Sequence, residues 1–123
     1  MGTVLVIDDE EFVRDVVKAA LARFGYRVVT AADGSQGIRK FDEGAFDVVI
    51  TDIRMPGVDG RGVAEHIRNS QRQWTPIIAI SATPWLIEGD SDGFDSILAK
   101  PFPLKDLVDT VNGLTQKTVA AAV

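Results

Sequence analysis

The stretch DVVITDIRMPGVDG, residues 47–60, decides the architecture. Val48, Val49 and Ile50 are β-branched and uninterrupted, the pattern of a strand covered on both faces, and Asp52 follows two residues after the run. This predicts a carboxylate at the carboxyl end of a buried strand. Pro56, Gly57, Asp59 and Gly60 then turn the backbone, so a loop leaves the sheet just beyond Asp52. Open α/β sheets bind their ligands outside the carboxyl ends of strands, which makes this loop the place to look for chemistry.

Outward from that strand the chain alternates. Val4 to Ile7 is an apolar run ending in the acids Asp8, Asp9, Glu10 and Glu11. From Phe12 the spacing becomes helical, with Phe12, Val13, Val16, Val17, Ala20, Leu21 and Phe24 expected on one buried face and Gly25 as the stop. Arg27 to Ala31 reads as a second strand, and Asp33-Gly34 opens a helical segment with Ile38 and Phe41 inward, weakened by Gly37. Val63, Ala64 and Ile67 mark a helix after Gly60, and Pro76 introduces a fourth strand, Ile77 to Ile80, ending at Ser81. Ile97 to Ala99 is the fifth, ending at Lys100-Pro101. Leu104, Leu107, Val108, Val111 and Leu114 form the clearest helical stripe. Residues 115–123 lack a packing pattern and are expected as a tail or linker stump after a single domain of residues 1–114.

Five short buried strands alternating with helices imply a doubly wound α/β fold, a five-stranded parallel sheet with helices on both faces. If the strand order is 2-1-3-4-5, the switch point lies between the first and third strands and brings the acids after Ile7 beside Asp52. Ser81 and Lys100 then lie on the same edge. Carboxylates that close raise one another's pKa unless a cation intervenes, so the pocket calls for magnesium, or manganese in its place. Asp9, Asp52 and a backbone carbonyl at Arg54 are the expected direct ligands, with Asp8 acting through water. A carboxylate held by a metal and by Lys100 is poised to attack phosphorus.

Composition narrows the rest. The 123 residues suffice for one core, and a formal charge of -5 argues against nucleic-acid binding by this domain. The absence of cysteine excludes disulfides and thiolate chemistry. With no apolar run of membrane-spanning length and no basic leader, the expectation is a cytoplasmic protein.

These residues, taken together, resemble a two-component response-regulator receiver domain over about residues 3–114, a flavodoxin-like phosphoacceptor fold. The resemblance implies that Asp8 and Asp9 are the acidic pair, Asp52 in DIRMPG the phosphoacceptor, Ser81 the switch hydroxyl and Lys100 in KPF the site lysine. It implies magnesium, a sensor histidine kinase or phosphotransfer protein as donor, and a downstream protein or fused output domain as receiver of the signal. Such a domain catalyses only its own phosphorylation and dephosphorylation. By the same resemblance Arg54 and Thr83, two residues after Asp52 and Ser81, correspond to positions that in receivers flank the path of hydrolytic water.

Each residue alone has a plainer reading. Asp8 and Asp9 also suit a helix N-terminus, Asp52 a turn, Ser81 a strand end and Lys100 a solvated surface. His66 falls off the Val63, Ala64, Ile67 face and is expected to be exposed, and Trp74 and Trp85 suit packing or surface positions. Ile97 stands at the switch position where receivers usually carry Tyr or Phe, and the stretch between Ser81 and Lys100 is short and rich in Gly, Asp and Ser, so the fourth helix is expected to be shortened or missing. Output is therefore expected from movement of the 82–93 segment, with Trp85 reporting it, rather than from an aromatic rotamer. A haloacid-dehalogenase-type phosphatase would carry Asp-x-Asp where this chain has Asp8-Asp9-Glu10, and a flavin module would need a phosphate loop where this chain has acids. The remaining alternative is a receiver-like interaction module that is not phosphorylated in the cell.

Overall fold

Strands and helices alternate in a computed structural model that describes residues 2–84 and 93–122. The strands β1 (Thr3–Ile7), β2 (Arg27–Ala31), β3 (Val48–Asp52), β4 (Ile77–Ser81) and β5 (Ser96–Ala99) pair in parallel in the order β2-β1-β3-β4-β5. Among the described residues the helices are α1 (Glu11–Arg23), α2 (Gly34–Glu43), α3 (Gly60–Arg68) and α4 (Leu104–Ala122). This is the doubly wound, flavodoxin-like sheet expected from the β-branched runs.

The period-two geometry of the strands divides the core in two. Val4, Val6, Val48, Ile50, Ile78 and Ile80 pack on one face against Val17 and Leu21 of α1 and Leu107, Val108 and Val111 of α4. On the other face Leu5, Ile7, Val49, Ile77 and Ala79 pack against Phe41 of α2 and Val63, Ala64 and Ile67 of α3. β3 and β4 are buried along their whole length, whereas β2 at the sheet edge is not.

Several expectations are corrected by this packing. Phe12 and Phe24, assigned to the inward face of α1, are exposed, at 78% and 55%. Phe12 lies one position before Val13, about 100° around the helix from it, and Phe24 is the C-cap, where the chain already turns toward Gly25 at φ 89. Leu104 at the start of α4 is also partly in solvent. His66 is half-buried rather than exposed: its Nε2 lies 2.8 Å from Asp42 Oδ1 of α2, and its ring meets Phe41 edge-on. Its partner is in another helix, which periodicity within α3 does not reveal. α4 continues unbroken past Leu114 to Ala122. At the start of this continuation the Thr115 Oγ1 bonds the Val111 carbonyl at 3.0 Å and meets the Tyr26 hydroxyl at 3.2 Å. Thr115 to Ala122 contains no Gly or Pro to end the helix. The expected shortening of the fourth helix, and Trp85, fall on residues 85–92 and lie outside the described residues.

Candidate functional site

Strand register brings the functional side chains together. Ile7 pairs with Thr51, so Asp8 and Asp52, the next residues on β1 and β3, emerge side by side. Asp52 pairs with Ile80, and Ser81 with Ala99, which sets Lys100 directly beyond β5 on the same edge. The peptide between Lys100 and Pro101 is cis.

Lys100 joins the acids. Its Nζ donates to Asp8 Oδ2 and to Asp52 Oδ2, both at 3.0 Å, and reaches Glu10 Oε1 at 3.5 Å. Asp8 and Asp52 are buried, while Asp9 and Glu10 lie on the solvent side. Burial pushes the Asp8 carboxyl above its ordinary value, outweighing the Glu10 backbone N–H and the Lys100 ammonium that favour its anion, and the Asp52 charge pushes the same way. Burial acts on Lys100 in the opposite sense, yet the hydrogen bonds and charges of Asp52 and Asp8 prevail and raise it, so the ammonium stays protonated.

The two oxygens of Asp8 are engaged, Oδ1 by the Glu10 N–H at 2.8 Å and Oδ2 by Lys100. Asp52 differs. Among the described residues its Oδ1 meets only a long contact from the Arg54 N–H at 3.4 Å, which leaves that oxygen the more available for a cation or an electrophile. Oxygens of Asp8, Asp9, Glu10 and Asp52 all lie within 4.8 Å of one another, and this all-oxygen set fits a small hard divalent cation.

The remaining expected residues fall around this centre. Ser81 is buried and its Oγ accepts the Thr83 N–H at 3.0 Å, so the hydroxyl is turned toward its own loop. Thr83 is half-buried, Arg54 is exposed at the rim, and Ile97 is packed within the second core cluster rather than at the site. Sequence reasoning missed two contributors. Glu10 stands at the N-cap of α1 with its side chain on Lys100, and Arg14 donates to the Asp8 carbonyl at 2.7 Å. Glu10's adjacency to the acid pair was the available signal. Arg14 follows Glu10 by one helical turn, which puts both on one side of α1.

Gly60 shapes the loop beyond Asp52. A Cβ there would lie 2.4 Å from the Asp52 carbonyl oxygen, and the Gly60 N–H bonds the Ile53 carbonyl at 2.8 Å. Asp59 caps α3 through the Gly62 N–H at 2.9 Å, so helix and β3 are joined tightly.

The chain matches the response regulator receiver domain family over residues 4–112 and belongs to it. It is 38% identical over 122 residues to a probable transcriptional regulator, ycf27, of Guillardia theta, covering 97% of this chain and 47% of that protein. Among solved structures it resembles the chemotaxis protein CheY4 of Vibrio cholerae, with a TM-score of 0.84 and 35% identity over 93% of this chain and 98% of that one. It also resembles the response regulator TrrA of Thermotoga maritima, solved in complex with Mg(2+)-BeF, with a TM-score of 0.84 and 34% identity over 93% and 99% of the two chains. The chain spans about half the length of the curated relatives it matches. It is a receiver domain of two-component signalling regulators.

Proposed function

We propose that Asp52 accepts a phosphoryl group from a phosphohistidine on a sensor histidine kinase or phosphotransfer protein. A carboxylate oxygen of Asp52 bonds to phosphorus as the P–N bond breaks, and the electron pair stays on the imidazole nitrogen, which takes a proton. Lys100 pairs with the phosphoryl oxygens, and the Ser81 hydroxyl turns from Thr83 to donate to one of them. Magnesium, or manganese in its place, would be held by Asp9, Asp52 and the Arg54 carbonyl, with Asp8 through water, and would neutralise charge on the transferring group. Arg54 and Thr83 set the access of hydrolytic water.

The observation that carries this reading is the shared Lys100 ammonium, 3.0 Å from both Asp8 and Asp52 at the edge where β1, β3 and β5 end. The protein turns over no separate substrate and works in the cytoplasm. No helix among the described residues is long and apolar enough to cross a membrane. Its signal passes to a downstream protein or to a fused output domain, as the transcriptional-regulator relatives suggest, with residues 1–114 as the receiver unit and 115–123 leading away from it. Ile97 is stiff at χ1 and has no hydroxyl, so output relies on the loop after Ser81 rather than on an aromatic rotamer.

Incubation with magnesium and acetyl phosphate, followed by intact-mass measurement, tests this. Wild type should gain one phosphoryl group and Asp52→Asn none; equal gain by the variant would remove Asp52 as acceptor.

A further inference from the structure

Glu10 occupies the N-cap of α1 but does not cap it: its side chain makes no hydrogen bond to the helix N-terminus. Glu is less favoured than Asp, Asn or Ser there because its longer stem overshoots the N2 and N3 amides. The carboxylate instead turns to Lys100, with Oε1 at 3.5 Å from Nζ, although the Glu10 side chain is 62% exposed. An ammonium has three protons, and the other two point to Asp8 and Asp52. The donors of Lys100 are therefore all directed at carboxylates. A phosphoryl group on Asp52 can engage Lys100 only if one of these contacts opens, and the longest and most exposed is that of Glu10.

We infer that Glu10 is a positioning residue for Lys100, holding the third ammonium donor and yielding it to the incoming phosphoryl group. This rests on the phosphoacceptor reading above. The same carboxylate adds a negative charge within 4.8 Å of an Asp52 oxygen, so it opposes the approach of an anionic donor as well as competing for the cation that receives it. Glu10 sets how much donor the domain requires before it is loaded. It touches neither reacting atom, and the two effects act in one direction.

The test compares wild type with Glu10→Gln, both saturated with magnesium, by intact mass across a series of acetyl phosphate concentrations. In this reaction a carboxylate oxygen of Asp52 bonds to phosphorus while the bond from phosphorus to the acyl oxygen breaks, its electron pair leaving on acetate. Glu10→Gln keeps the shape and removes the charge at a side chain that is 62% exposed, so the fold is retained. Half-loading should need about three- to tenfold less donor in the variant, the size expected of one charge acting on a dianion at this range. The gap should shrink below about twofold near 0.5 M salt, where screening acts over a few ångströms, a response that a purely structural role would not give. Equal donor requirements at low salt, or a gap that salt leaves unchanged, would overturn the role of Glu10. A wild type that gains no phosphoryl mass would instead strike the phosphoacceptor reading itself.

Discussion

Asp8 and Asp52 are chemically identical and share one ammonium, yet their surroundings give them different work. Asp8 is fully buried with both oxygens engaged, and its carboxyl is raised above the ordinary 3.8. A raised folded-state value means that the protonated form favours folding: that contribution is complete below the ordinary value and is lost as pH rises through the raised one. At neutral pH the ionised Asp8 costs the fold its desolvation, which its pairing with the raised Lys100 returns only in part. Asp8→Asn should therefore melt above wild type at pH 7 in a chelator, and the gap should close toward pH 3.8; equal melting at pH 7 would show that Lys100 already compensates the buried charge. Arg54 belongs to the same scale. It stands exposed beside the Asp52 oxygen that its N–H meets at 3.4 Å, long enough to shield an acyl phosphate. Arg54→Asn should shorten the phosphorylated lifetime several-fold, read by loss of the phosphoryl mass after donor removal, and an unchanged rate would take Arg54 out of the mechanism. The carboxylates, Ser81 and Lys100 were legible from strand ends in the sequence. Which oxygen each cation touches was not, because that depends on rotamers across four chain segments, and Glu10 passed as one more helix-start acid for the same reason.

Elements carry the constraint that keeps this geometry fixed. The strands were legible to within a residue because β-branched runs bounded by Gly, Pro and Asp leave little choice, as at β3 and β4. Helix faces were less so. Phe12 and Phe24 fit an apolar list but not the actual arc of α1, and the pairing of His66 with Asp42 joins two helices that sequence keeps 24 residues apart. Arg68 is a similar tie that no motif signals. From the end of α3 its guanidinium donates to the carbonyls of Gln73 and Thr75 at 2.6 and 2.8 Å, to Gly93 at 2.6 Å and to Asp95 Oδ2 at 2.8 Å. Asp95 Oδ2 also accepts the Ile77 N–H, so one fork holds α3 to the entry of both β4 and β5. Lysine keeps the charge but has no planar fork, and Arg68→Lys should cost about 1–3 kcal/mol in urea unfolding. At Gly60 the tie is steric. An added Cβ would press on the backbone of Asp52 and Ile53, which cannot move aside as a side chain could, so Gly60→Ala should cost about 2 kcal/mol or more and slow phosphoryl acceptance together. Loss of stability with normal acceptance would mean that the acceptor loop tolerates the shift.

At the scale of the whole molecule, the order β2-β1-β3-β4-β5 converts residues far apart in the chain into one pocket. Lys100 and Asp8 are 92 residues apart in sequence and 3.0 Å apart in space because β1 and β3 are central neighbours and β5 ends on the same edge. The cost is a concentration of carboxylates that the fold must hold together, offset by Lys100 alone among the described cations in direct contact with both Asp8 and Asp52. A divalent cation that binds this folded arrangement and not the unfolded chain adds RT ln(1 + [L]/Kd) to stability, about 2.7 kcal/mol at a hundred times Kd. For a domain of this size that corresponds to a rise in melting temperature of about 10 °C. The dependence on residues separates binding at the pocket from general screening of a chain with a net charge of -5. Asp9 is exposed and is the proposed direct ligand, whereas Asp8 already spends its oxygens on Glu10 and Lys100. Asp9→Asn should therefore lose most of the magnesium-induced rise and Asp8→Asn less of it, with calorimetric scans at fixed ionic strength as the measurement. If sodium at matched ionic strength raises melting as far as magnesium does, or if Asp9→Asn keeps the full rise, the acids act as a diffuse charge and the direct ligation assigned to Asp9 is wrong.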